Sequence, residues 1–481
     1  MNFKPVALSV GSLLTVLSLF MAIPALIDLY DGDKEWTAFL ISATVTAMVG
    51  VMLILTTNGQ QHKMTMREAF LMVNLAWLSI ALFGALPFIF SSVSLPVVDA
   101  VFESMSGITT TGSTVMSGLD DAPRGILMWR SMLQWLGGIG IVVMALSILP
   151  MLQVGGMQLF KVEAFDQSEK ILPRATEIAV AVTLLYTVMT LFAWVALYSV
   201  GMPSFDAMAH AMTAIATGGF STSDASIGHF NNSSVEWITI LLMIIGSLPF
   251  VFFLRLIRGD GQAFLSDSQI RVFFVILFVF IALTTAWLVE KGLYSIPDAI
   301  RYATFNITSI MTGTGFASAD YMLWGSFPIT IFFIVMFIGG CAGSTTCGIK
   351  IFRIQILFTT ARMQLQRLIQ PHGVFLSHYN RRAITEEVTG AVMGYFFLFI
   401  GIFALIAIML GLTGLDFMTT ITAAATSIAN VGPGLGDVIG PAGNFHSLEA
   451  NAKIIMILGM LLGRLELFTV LVLFVPSFWK N

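Results

Sequence analysis

Four stretches of this 481-residue chain begin at an aspartate and end at a glycine. The first runs from Asp99 to Thr109-Thr110-Thr111-Gly112, and the second from Asp206 to Ala216-Thr217-Gly218-Gly219. The third runs from Asp298 to Thr312-Gly313-Thr314-Gly315, and the fourth from Asp416 to Asn430-Val431-Gly432. The offsets are 13, 13, 17 and 16 residues, and each has an isoleucine four or five residues before the last glycine. In the second stretch either Gly218 or Gly219 can be the glycine that matches the others. Threonine and glycine at membrane depth suit one chemistry in particular. Extended backbone can aim carbonyl oxygens at an axis, and glycine admits angles that other residues resist. Four such strands round one axis would replace the water of a hard cation such as K+. Four short helices ending there would add the negative ends of their dipoles. For any one stretch, Gly and Thr at a helix–helix interface is the plainer reading. Four in matching contexts favour the cation site.

The elements that must position these stretches are membrane spans. The chain is 57% apolar and 10% charged, with 23 Lys and Arg against 27 Asp and Glu for a net −4. Mean hydropathy is +0.89. Soluble chains average about 25% charged residues, so a soluble, disordered or fibrous protein is excluded. Apolar runs of spanning length lie near 5–29, 36–57, 68–91, 125–151, 176–201, 235–257, 270–290, 323–360, 385–411 and 452–475, which predicts ten spans. The first run is too long for a cleavable signal. Each Asp-to-Gly stretch lies between two runs, and its segment from the Asp to the Ile covers about three helical turns. That is too short to cross, so it predicts a re-entrant half-helix with the Asp as N-cap. Pro96, Pro203 and Pro297 precede the Asp in three of them.

The excess of Lys and Arg in alternate loops puts the N-terminus in the cytoplasm. The inner side then carries 16 basic and 9 acidic residues, and the outer side 6 and 17, for +7 inside and −11 outside. Insertion explains the inner excess. It does not explain the outer acids, which predict a vestibule that concentrates cations.

Two further features fall inside spans. The run 323–360 is broken by Gly339, Gly340, Gly343, Ser344, Thr345, Thr346 and Gly348, a stretch that unwinds readily. It reads either as a kink where helices pack closely or as a loop beneath the third cation-facing strand. Arg464 lies near the middle of the last run, where a charge needs a partner or a cavity. Glu466, two residues on, faces away from it on a helix. Cys341 and Cys347 have no nearby His and read as small packing residues. The six histidines form no pair suited to metal or haem, and there is no phosphate-binding loop or nucleophile motif, so no enzyme, covalent cofactor or nucleic-acid surface is expected.

This layout, helix, half-helix, strand and helix four times over, resembles the Trk/Ktr/HKT superfamily of potassium transporters across nearly the whole chain, and Asn430-Val431-Gly432-Pro433-Gly434 is especially similar to it. The extra N-terminal pair, residues 5–57, looks like the bacterial TrkH-type subunit. The resemblance implies an all-α membrane protein with four pseudo-repeats round a central pore plus two extra N-terminal helices. The divisions are 1–58, 65–151, 175–258, 268–365 with a gating loop at 339–350, and 382–478. It implies filter glycines Gly112, Gly219, Gly315 and Gly432. Carbonyls of Thr110, Thr111, Thr217, Gly218, Gly313, Thr314, Asn430 and Val431 would be K+ ligands. The Gly339–Gly348 stretch would be a gate, with Arg464 beside it. One glycine per strand implies weaker discrimination between monovalent cations than a symmetric channel filter gives. Implied partners are lipid of the bacterial inner membrane, a second copy of the chain, and a cytosolic nucleotide-binding ring (TrkA-like) docked on the basic 350–382 linker. The competing readings are a Na+-coupled transporter with broken helices, which needs two inverted repeats, and a proton-path subunit of a membrane enzyme, which needs acids mid-span.

Overall fold

The computed structural model describes residues 2–57, 64–147, 154–156, 175–261, 267–376, 378–380 and 382–480. The N-terminal apolar run forms Lys4–Phe20 and Ala22–Asp31, which continue as one span, and Trp36–Leu55 returns beside them. The two approach so closely that a Cβ on Gly11 would lie 2.7 Å from the Gly50 carbonyl oxygen. Their inner faces pack on Met66–Phe90 and Arg124–Ser147 through Leu14, Phe39, Leu71 and Trp129.

Four repeats of outer helix, half-helix, loop and inner helix follow. The outer helices are Met66–Phe90, Ala175–Ser199, Ser268–Glu290 and Glu386–Gly411. The half-helices are Val97–Ile108, Ser204–Ile215, Ile296–Met311 and Phe417–Ala429. All four are buried along most of their length, since they lie inside the ring of spans. Their starts differ from the expectation. Asp416 is an N-cap, its Oδ2 accepting from Thr419 N at 3.1 Å. Asp99, Asp206 and Asp298 instead sit at the third helical position, after Pro96, Pro203 and Ser295 as N-caps. Acids in a first turn complement the helix dipole, so both placements serve one end.

Not all of the ten apolar runs form straight helices. Seven helices among the described residues are long and apolar enough to cross, and two further spans are bent pairs. Ser233–Ser247 and Phe250–Ile257 meet at 96°, at Pro249, and Ala450–Arg464 meets Phe468–Phe474 at 107°. The run 323–360 is two helices, Ser326–Val335 and Ile351–Ile369, separated by an irregular segment. The only named strands among the described residues are His378–Tyr379 and Arg382–Ala383, a minimal antiparallel pair. Of the 16 basic residues counted inside, Lys63, Lys161, Lys170, Arg174 and Arg381 lie outside the described residues.

Candidate functional site

Each half-helix hands over to its loop with the same turn. Thr110, Thr217, Gly313 and Asn430 adopt φ of +52°, +50°, +73° and +52°. Three of these are not glycine, and a left-handed side-chain-bearing residue costs about 1–3 kcal/mol unless its surroundings enforce it. The enforcement is visible in the next amide. Thr111 N donates to Ser106 O at 2.9 Å, Gly218 N to Thr213 O at 2.8 Å, and Val431 N to Thr426 O at 3.1 Å. Two residues past the turn stand Gly112, Gly219, Gly315 and Gly432, the first three again at positive φ. The shared turn selects Gly219 over Gly218 as the matching glycine.

The four loops abut in chain order. A Cβ on Gly112 would lie 2.2 Å from Gly218 O, and one on Gly219 would lie 1.8 Å from Thr314 O. One on Gly315 would be 2.8 Å from Pro433 Cδ, and one on Gly432 3.1 Å from Gly112 O. The ring therefore closes with no room for a side chain at Gly112 or Gly219. The first and third loops carry the same internal brace, Thr109 to Thr111 at 2.8 Å and Thr312 to Thr314 at 2.7 Å between hydroxyls. Asn430 ties the fourth loop to the first, its Nδ2 donating to Thr111 Oγ1 at 3.0 Å and Met460 O at 2.9 Å. Ser113 Oγ donates to Gly432 O at 2.7 Å.

Residues that sequence reasoning left among general charges hold the outer ends of these loops. Arg130 and Glu103 are both buried and pair at 2.8 Å. Glu103 also accepts from Val115 N and Thr114 Oγ1, each at 2.9 Å, while Arg130 donates to Ser221 O at 2.8 Å. The pair thus links the exits of the first and second loops. His210 is buried, with Nε2 2.9 Å from Ser221 Oγ. Gln134, also buried, contacts the second loop directly. A signal was present: Arg130 and Gln134 lie four apart, on one face of a largely apolar helix. Asp31, Asp99, Glu103, Glu236 and Asp298 are engaged with Arg124, Lys453, Arg130 and Arg301.

Below the third loop, the segment between Val335 and Ile351 folds back on itself. Gly339 N donates to Ile349 O at 3.0 Å and Ile349 N to Phe337 O at 2.9 Å. Gly343 and Gly348 take φ of +76° and +70° at its turns. Ser344 Oγ donates to Cys341 O at 2.6 Å, and Gly340 N to Thr346 Oγ1 at 3.1 Å. Thr345 Oγ1 donates to the backbone of the second repeat, to Gly246 O at 2.9 Å or Ile215 O at 3.1 Å, and lies 3.0 Å from Thr217 Oγ1. The segment thus touches the residue that forms the second loop's turn. Lys350, buried, bonds through Nζ to the Thr346 carbonyl.

Arg464 closes this assembly. It is the last residue of its helix, at the 107° bend near the middle of the last span. Nη1 donates to Thr345 O at 3.1 Å and Nη2 to Gly137 O at 3.0 Å. Nη1 also lies against Cys347 Sγ. Glu466 turns away to Arg353, at 2.6 Å.

Four half-helices whose loops close on one axis, in a chain of many spans, define a pore-loop membrane transport protein. The sequence profile of the TrkH family, described as a cation transport protein, matches residues 36–481. The Trk system potassium uptake protein TrkI of Halomonas elongata is 42% identical, over 100% of this chain and 98% of its own length. The Trk system potassium uptake protein TrkH of Escherichia coli K12 is 38% identical over the whole of both chains. The crystal structure of the potassium transporter TrkH from Vibrio parahaemolyticus superposes with a TM-score of 0.93, at 34% identity and full coverage of both chains. The chain belongs to the TrkH family, and it is a transporter rather than an enzyme.

Proposed function

We propose that this chain takes up potassium across the bacterial cytoplasmic membrane, with its N-terminus in the cytoplasm. K+ passes the ring of Gly112, Gly219, Gly315 and Gly432, where it is ligated by carbonyls of Thr110, Thr111, Thr217, Gly218, Gly313, Thr314, Asn430 and Val431. The observation that carries this reading is the left-handed turn repeated at residues 110, 217, 313 and 430 in four mutually abutting loops. Amides turned back to the half-helices leave the loop carbonyls to face the ion. The names of the relatives supply the ion.

The Gly339–Gly348 segment is the gate. Gly339, Gly340, Gly343, Ser344, Thr345 and Thr346 are buried beneath the ring, with Gly348 partly so. Arg464 holds the segment closed and adds a positive charge that opposes cation passage. Transport is regulated from outside the chain. Arg362 and Arg367 stand exposed on Ile351–Ile369, which suits docking of a cytosolic nucleotide-binding ring (TrkA-like) on a homodimer. K+ is the cargo, and no covalent cofactor is involved.

The test is rubidium uptake in bacteria lacking their own potassium uptake, followed by reversal potentials of the purified protein in liposomes. Restored growth at low K+ and a reversal potential that tracks the K+ gradient support the proposal. Normal membrane expression with neither effect overturns it.

A further inference from the structure

The second loop departs from the other three at one position, and the departure has a structural counterpart. Where the first, third and fourth loops carry Thr111, Thr314 and Val431, the second carries Gly218. A Cβ on Gly218 would lie 2.4 Å from both Cδ and Oε1 of Gln134. The space that a side chain fills in the other loops is therefore filled here by the amide of Gln134, from the inner helix of the preceding repeat. That amide engages both sides of Gly219. Nε2 donates to Gly218 O at 2.6 Å and Oε1 accepts from Phe220 N at 3.0 Å. Gln134 is fully buried.

The neighbouring repeats lack this device. The inner helices share a register, because Gly137, Gly246 and Gly463 each press against the carbonyl of an isoleucine in the last turn of a half-helix, Ile108, Ile215 and Ile428. Three residues before those glycines stand Gln134, Met243 and Met460. In the third repeat the inner helix ends at Val335, before the gate segment. Among these inner helices only Gln134 can donate to a loop carbonyl from this register.

We propose that Gln134 is a positioning residue that sets ion selectivity. By donating to the Gly218 carbonyl it fixes that oxygen's direction and weakens its field toward a bound cation, so the ion meets a ring of unequal ligands. This rests on the filter reading above and adds to it the residue that makes the second strand unlike the rest.

The experiment compares K+ over Na+ permeability, from reversal potentials in liposomes, for wild type, Gln134→Met and Gly432→Ser. Gln134→Met installs the residue that the second and fourth repeats carry. It is expected to shift the permeability ratio by about two- to tenfold, the equivalent of one net hydrogen bond. A shift in that ratio separates positioning from a mere loss of folded protein, which lowers flux for all ions alike. A wild-type ratio in Gln134→Met beside an altered ratio in Gly432→Ser overturns the role of Gln134 and leaves the filter standing. Wild-type ratios in both overturn the filter reading itself. If Gln134→Met does not assemble, Gln134→Asn, which keeps the amide but is one methylene short of reaching both partners, decides by the same measurement.

Discussion

Arg464 donates to the carbonyl oxygen of Thr345 at 3.1 Å. The contact joins the end of one inner helix to an irregular segment of another repeat. Segments rich in Gly, Ser and Thr gain little from their own packing, so this bond and the three contacts of the Thr345 hydroxyl hold the segment in place. Arg464→Gln removes the charge and shortens the reach. It is expected to raise flux several-fold, because a hydrogen bond from a charged group contributes about 1.5–3 kcal/mol. Thr345→Val is expected to act in the same direction, and the double variant to exceed neither single one by much, since both release one segment. Rubidium flux in liposomes checks this. Unchanged flux at equal protein content would remove the segment from the gate.

The loop glycines are not equivalent, and their surroundings rank them. A Cβ on Gly219 or Gly112 meets backbone oxygen at 1.8 Å or 2.2 Å, and both sit at positive φ. Neither the backbone nor the neighbour can give way, so Gly112→Ser and Gly219→Ser are expected to abolish uptake or assembly. Gly432 is outside the positive-φ set, and its Cβ would meet Gly112 O at 3.1 Å. Gly432→Ser is therefore expected to fold, conduct and discriminate K+ from Na+ less well. Growth at low K+ with and without added Na+ reads out the order. Equal phenotypes at all three positions would contradict it.

The buried pair of Arg130 and Glu103 is the third place where a single change has a definite cost. Both side chains are almost wholly shielded from water. Removing one partner leaves the other charged, buried and unpaired, at about 3–5 kcal/mol. Glu103→Leu is expected to lower the melting temperature in detergent sharply. Arg130→Met with Glu103→Leu is expected to recover part of that loss, because no lone charge remains. The double variant also frees Thr114 and Ser221, so its selectivity is expected to fall even where its stability returns. A double variant no more stable than Glu103→Leu would show that shape, and not charge, dominates there.

What the sequence made legible was local and repeated. The half-helices follow from an acid near the start, an isoleucine near the end and a length short of a span. The loops follow from Thr and Gly at membrane depth. The irregular segment between Val335 and Ile351 shows because Gly339, Gly340, Gly343 and Gly348 interrupt an apolar run. What stayed hidden depends on residues far apart in the chain. Glu103 and Arg130 are 27 positions apart and each reads alone as an outer charge. Gln134 is one polar residue in a long helix until Gly218 is seen to make room for it. The 96° bend has a local sign in Pro249, whereas the 107° bend after Arg464 has none.

That second bend rests on a distant partner. Glu466 and Leu467 take φ of +62° and +45°, a conformation that costs about 1–3 kcal/mol per residue where a side chain is present. Glu466 then meets Arg353 at 2.6 Å, and Arg353 donates through Nε to Gly155 O at 3.0 Å with its guanidinium 3.7 Å over the Tyr395 ring. Arg353 lies in the first turn of Ile351–Ile369, directly after the Gly339–Gly348 segment. The pair therefore ties the bend of the last span to the helix that follows the Gly339–Gly348 segment. Two substitutions at Glu466 separate its backbone from its charge. Glu466→Gly suits the positive φ but loses the charge, while Glu466→Ala loses the charge and keeps the strain. Glu466→Ala is expected to melt lower than Glu466→Gly, by the difference of about 1 kcal/mol that left-handed backbone imposes. Both are expected to leave Arg353 buried without its counter-ion and to change flux in the direction of Arg464→Gln. Adding Arg353→Met to Glu466→Gly is expected to restore stability, and the double-variant cycle gives the coupling between the two residues. A coupling near zero would mean that the bend is held by packing of Phe468 and its neighbours, with Arg353 and Glu466 adjacent but independent.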